Sequence, residues 1–210
     1  MLMQRIVTAS LFAAPALANA QELTRLVPLD ASAPISYFIA AGEPGSGYRA
    51  TDADLATWAL EAWAESAAGA LRFSPAPEAS ALLRIYWVPA NFGQYGEMRP
   101  IVVAGKRGAI LYIRPDTEAL GEPIAQRARD DGLFRDTVVY LTCLHELGHA
   151  LGLEHTAAFD DIMYFFGYGG DIVEYFDRFR RELQSRDDIA AVTGLSESDV
   201  ATMRALYGAR

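Results

Sequence analysis

The sequence predicts an α+β domain in which helices pack on a mixed sheet. Three observations lead there. Hydrophobic residues make up 51% of the 210 positions, enough for one domain with a sizeable core and short for two. The readable segments run strand, helix, strands, helix, the pattern of a sheet covered by helices. A single cysteine, Cys143, leaves no internal disulfide, so the core must hold the fold unaided.

Residues 1–20 are set apart as a secretory signal peptide. "MLMQR" carries positive charge, "IVTASLFAAPAL" is an apolar run of secretory length, and Ala18-Asn19-Ala20 is a small-residue cleavage site. Cleavage is expected after Ala20, giving an exported protein, periplasmic or extracellular. The apolar run is shorter than the roughly 18 residues a spanning helix needs, so no stable membrane insertion is expected after cleavage. Residues 21–34 form an extended lead-in, and 35–210 a single domain.

"ISYFIA" (35–40) reads as a buried strand closed by the turn residues of "AGEPGSG". Thr51 or Asp52 caps the next helix, whose apolar face runs through Leu55, Trp58, Ala59, Ala62, Trp63 and Ala67. Strands are expected at "ALRF" (70–73) and "LLRIYWV" (82–88), and then at "PIVVA" (100–104) and "GAILYIR" (108–114), paired as a hairpin about Gly105-Lys106-Arg107-Gly108. A long helix runs from about Asp136 to Leu151. Another covers 171–186, with Ile172, Tyr175, Phe176, Phe179 and Leu183 on one face and Arg178, Arg180 and Arg181 on a solvated one. A closing helix starts at Ser196, an N-cap with Asp199 three residues on; Val200, Met203, Ala205 and Leu206 form its apolar side.

The net charge is −9, and loss of Arg5 with the signal peptide makes the chain one unit more negative. No basic run or stripe stands out, which argues against nucleic acid or an anionic membrane as partner.

The chain's three histidines, His145, His149 and His155, all fall within eleven consecutive residues. His145 and His149, four apart, project from one side of a helix. Glu146 sits about 100° round that helix, able to reach a water on a shared ion without ligating it. Gly152 allows the helix to end in a left-handed conformation, so that the chain can bring His155 back to the same ion. Three neutral imidazoles with one position open suit a catalytic Zn²⁺. Such an ion lowers the pKa of bound water to about 7, and Glu146 can take that proton and deliver it to a departing amine. Cys143 lies about 200° from His145 on the helix, the far side from any metal, and reads as a small buried apolar residue.

H-E-x-x-H-x-x-G-x-x-H followed by a methionine turn is the metzincin signature. The chain resembles that family at 145–155, with Met163 eight residues on. Among metzincins it is most similar to the matrixins, in "HELGHALGLEHT", "DIMY" and "LSESDVATMRALYG", and more loosely in Trp58, Trp63 and "LRF". The resemblance implies a zincin-like catalytic domain. Its upper subdomain (35–152) would hold a twisted, mostly parallel sheet and two long helices, and its lower one (153–210) would be small and helical. It also implies Met163 as an apolar floor beneath the imidazoles, and an extended protein or peptide substrate pairing with an edge strand, for which "GAILYIR" is the expected candidate.

The chain departs from the matrixin pattern in several places. No propeptide cysteine is present, so latency by that route is not expected. No histidines remain for a second, structural zinc, and no calcium loop is recognisable, leaving calcium open. Phe165 stands where a proline usually follows the Met-Tyr pair and walls the main specificity pocket. Residues 165–194 are longer than the family's connection, which makes the helix at 171–186 an insertion beside that pocket. The expected activity is that of a zinc endopeptidase. A catalytically silent zinc-binding protein on the same fold and a zinc amidase acting on cell-wall peptides are the alternatives; oligomeric state and natural substrate are left open.

Overall fold

The computed structural model describes residues 26–89, 91 and 95–208; the expected signal peptide and cleavage site lie outside them. Five strands form one sheet: β1 (Ile35–Ile39), β2 (Phe73–Pro75), β3 (Leu83–Trp87), β4 (Gly96–Val103) and β5 (Lys106–Ile113). Their order is β2-β1-β3-β5-β4. The first four are mutually parallel and β4 runs antiparallel to β5. Among the described residues five α-helices accompany the sheet: α1 (Asp52–Ser66), α2 (Glu122–Asp130), α3 (Gly132–Ala150), α4 (Ile172–Arg180) and α5 (Glu197–Tyr207). The α+β architecture expected from the sequence is therefore present.

Alternation in the strands sets the layers. Leu83, Ile85 and Trp87 of β3, and Ala109, Leu111 and Ile113 of β5, are buried on one face. They pack with Leu55, Leu60 and Trp63 of α1 and with Val138, Tyr140 and Leu144 of α3. Trp63 has no exposed surface, and its Nε1 donates to the Leu144 carbonyl at 2.9 Å, tying α1 to the middle of α3. Trp58 is only half-buried, and the Arg186 guanidinium covers its ring. A buried ion pair locks the same two helices: Arg135 of α3 grips both carboxylate oxygens of Asp52, at 2.8 Å for Nη2–Oδ2.

Several boundaries differ from the sequence reading, each for a local reason. The strand expected at 70–73 begins at Phe73, because Ala68 and Gly69 both take positive φ in the turn that ends α1 and Leu71 plugs into the core. The hairpin turn is Ala104-Gly105, again both at positive φ, as a two-residue turn of the primed type needs. Lys106 and Arg107 consequently belong to β5. That hairpin places β4 outside β5, so "GAILYIR" is an inner strand and β4 is the edge, a correction to the expected substrate edge. α3 starts at Gly132, earlier than expected, since Asp131 accepts from the backbone N–H groups of Leu133 and Phe134. α2 escaped the sequence reading because it is short and largely polar, burying only Ile124, Ala125 and Ala128.

The helix expected at 171–186 stops at Arg180. Asp188 accepts from the backbone N–H of Gln184 and Ser185, capping a separate turn at Arg186–Ala190. Arg178 and Arg180 do not lie on a solvated face. Arg178 stacks over Tyr175 at 4.3 Å and donates to the Phe159 carbonyl; Arg180 pairs with Asp131 at 2.7 Å. Arg181 alone matches that expectation, exposed beside Glu174. α5 is capped as read, by a reciprocal Ser196–Asp199 box. Met203 is buried, but Ala205 faces out.

Candidate metal centre and cleft

α3 ends in the geometry that the histidine spacing requires. The Gly152 N–H donates to the His149 carbonyl and the Leu153 N–H to the Gly148 carbonyl, the paired bonds of a Schellman cap. Gly152 takes φ +102°, and a Cβ there would lie 2.8 Å from the Pro28 nitrogen. The position therefore needs glycine twice, for the left-handed turn and for the close passage of the lead-in segment. The chain then doubles back: the Thr156 N–H donates to the Met163 carbonyl and the Phe165 N–H to the Thr156 carbonyl. This brings His155 over α3.

The three imidazoles converge. Their ring centroids lie 4.6–5.3 Å apart, and one ligand atom from each falls within 4.8 Å of the others. They are positioned to bind one metal ion. Among the described residues no cysteine, aspartate or glutamate joins the group. Two backbone carbonyls fix the ring orientations. His145 Nδ1 donates to Ile162 O at 2.7 Å and His149 Nδ1 to Leu153 O at 2.9 Å. With Nδ1 committed as donor, Nε2 keeps its lone pair for a metal. Nε2 of His149 and His155 are 3.1 Å apart, close to the about 3.3 Å expected for two nitrogens on one tetrahedral zinc at about 2.05 Å each. Burial favours the neutral, ligating form of all three rings. It pushes His145 down to about 3, with the neighbouring imidazoles adding to it, and lowers His149 and His155.

Met163 is buried against α3, where a Cβ on Gly148 would meet its sulfur at 2.4 Å. Its sulfur therefore fills the space that the absent side chain leaves between the turns carrying His145 and His149. The methionine turn is anchored from two sides. The Asp199 carboxylate accepts from the Ile162 N–H at 2.8 Å, and the Tyr175 hydroxyl reaches the Ile162 carbonyl at 3.1 Å. That carbonyl is the one that orients His145. Neither partner was singled out for this role from sequence, since their spacing to 162 carries no local signature.

Glu146 is buried beside the histidines but outside the ligand cluster. Burial pushes its carboxyl up to about 8; the Glu97 charge adds to this, and a backbone hydrogen bond from Met98 opposes it. Gly96, first residue of β4, packs directly on it: a Cβ there would lie 2.6 Å from Glu146 Cγ and 2.8 Å from Oε1. Cys143 is fully buried on the opposite side of α3 from the cleft, as expected of a small core residue, and burial raises its thiol pKa.

A cavity of about 420 Å³ opens beside the imidazoles, between α3 and α4. Tyr95, Leu141, Glu146, Phe165, Tyr175 and Phe176 contribute to its walls. Phe165 stacks on His155 at 4.9 Å. The segment after Met163 and the helix following it thus form one wall of the cleft.

The matrixin family model (peptidase family M10) matches residues 31–195. Among solved structures, the crystal structure of myroilysin is similar, with 16% identity and a TM-score of 0.38 over 84% of this chain and 83% of that one. No curated protein matches the chain. With the family match spanning most of its length and three histidines converging on one point, the chain belongs to the matrixin family of zinc metallopeptidases.

Proposed function

We propose that this protein is an exported zinc endopeptidase in which His145, His149 and His155 hold one Zn²⁺ and Glu146 is the general base. The observation that carries the reading is the division of labour on α3. Two imidazoles are locked by backbone carbonyls with Nε2 turned to a common point, while the adjacent carboxylate stays out of the ligand set. A zinc ion held there supplies the Lewis acid that polarises a substrate carbonyl and acidifies water. Glu146 takes the proton of the attacking water and passes it to the leaving amine. Its burial beside Gly96 keeps it close to the reacting atoms and shields the transfer from bulk solvent. Met163 supports the rings from below without contributing a ligand.

An extended peptide has a place to bind. β4 is paired only with β5 among the described strands, and Pro100 sits within it as proline does in edge strands. Export rests on the signal-like residues 1–20. Glu146→Gln tests the assignment: the variant is expected to keep one zinc per chain and lose about 10²–10⁴-fold in peptide hydrolysis. Hydrolysis at the wild-type rate would remove Glu146 from the mechanism.

A further inference from the structure

The cavity beside the imidazoles is not uniformly apolar. Arg114, just beyond the end of β5, lines it and is only 3% exposed. Among the described residues, its Nε and Nη2 are buried without a hydrogen-bond partner. Asp116 acts on it only through its charge, while its carboxylate accepts the Glu118 N–H. Among the described residues, the other deeply buried arginine, Arg135, spends both terminal nitrogens on Asp52, Asp136 and the Gly47 carbonyl. A guanidinium with two idle buried donors is costly unless an acceptor arrives. Leu120, Leu141, Phe165, Ile172 and Phe176 give the cavity an apolar wall, and its polar wall residues, Glu146, the imidazoles and Thr142 among them, make no hydrogen bond to Arg114 Nε or Nη2.

We propose that Arg114 makes this cavity a receptor for an acidic side chain adjacent to the scissile bond, so that the protein cleaves next to glutamate. The proposal rests on the peptidase reading above. The aromatic walls take the methylene stem, and the guanidinium receives the carboxylate, with two N–H groups available for a forked contact. An amide offers one acceptor and no charge. An aliphatic residue leaves the donors unpaired, and a site built to bond a polar group rejects the analogue that lacks it.

The test uses the zinc-loaded protein and fluorogenic peptides that differ only in carrying Glu, Gln, Leu or Phe on either side of the cleaved bond. The wild type is expected to favour Glu over Gln and Leu by about tenfold or more in kcat/KM. Arg114→Met should reverse that order toward Leu and Phe while still cleaving, and Arg114→Lys should keep the preference for Glu in weakened form. Wild-type preference for Leu or Phe, or an unchanged ratio in an Arg114→Met protein that melts like wild type, overturns the proposal and leaves the peptidase reading standing. Binding of the same peptides to zinc-loaded Glu146→Gln protein separates the two ideas. Tightest binding of the Glu peptide when wild type cleaves none of them would support the cavity assignment and remove the peptidase one. Equal binding of all four would overturn the cavity assignment.

Discussion

Gly96→Ala is a one-methyl probe of how tightly Glu146 must be placed. The added Cβ would stand 2.6 Å from Glu146 Cγ, 2.8 Å from Oε1 and 2.8 Å from the Thr142 methyl, where ordinary contact begins at 3.4 Å. Thr142 cannot yield easily, because its hydroxyl donates to the Val138 carbonyl at 2.8 Å. β4 is held in register with β5 along its whole length, from Gly96↔Ile113 to Val103↔Lys106. The Glu146 side chain is therefore the part that moves, by about 0.8 Å at Cγ. A misplacement of that order costs roughly 10²-fold in rate when the displaced group acts on the reacting atoms. Steady-state cleavage of a fluorogenic peptide, measured beside zinc content and melting temperature, reads the effect. The expected result is one zinc per chain, a fold that still melts cooperatively, and kcat/KM lower by about 10². Full activity with unchanged melting would refute the reasoning, since Glu146 would then tolerate displacement that a general base does not.

Gly152→Ala forces a Cβ into a left-handed turn and against the Val27–Pro28 backbone. A loss of at least about 1–2 kcal/mol is expected, with zinc affinity falling in parallel as His155 shifts; denaturant titration with and without zinc checks both. Asp52→Ala leaves the Arg135 guanidinium buried against a vacated site. Equilibrium unfolding should show a loss of about 3–5 kcal/mol, and a loss below 1 kcal/mol would mean that the pair contributes little.

The metal centre was legible because its information is local. The spacing of His145, His149, Gly152 and His155 encodes a helix side, a helix stop and a return, and the structure uses each of them. The Ser196–Asp199 cap is local in the same sense. What the sequence hid lies in pairings between distant segments. Nothing near Gly96 announces that Glu146, fifty residues on, presses against it. Nothing in the alternation of "GAILYIR" reveals that the hairpin will put another strand outside it. The arginines of α4 looked like a solvated stripe because helical periodicity assigns them a face without saying what covers that face; Asp131 and Phe159 do. Arg114 follows a strand end, where burial depends on α3, α4 and the turn at Leu120 arriving around it, so no pattern in its neighbours marks it.

X-ray absorption at the zinc edge on the protein loaded with one equivalent of metal tests the central claim most directly. The account predicts three imidazole nitrogens at about 2.0–2.1 Å and one further light atom from solvent, with the first shell losing one imidazole in His155→Ala. A sulfur in the shell, a fourth protein ligand, or fewer than three imidazoles would contradict it.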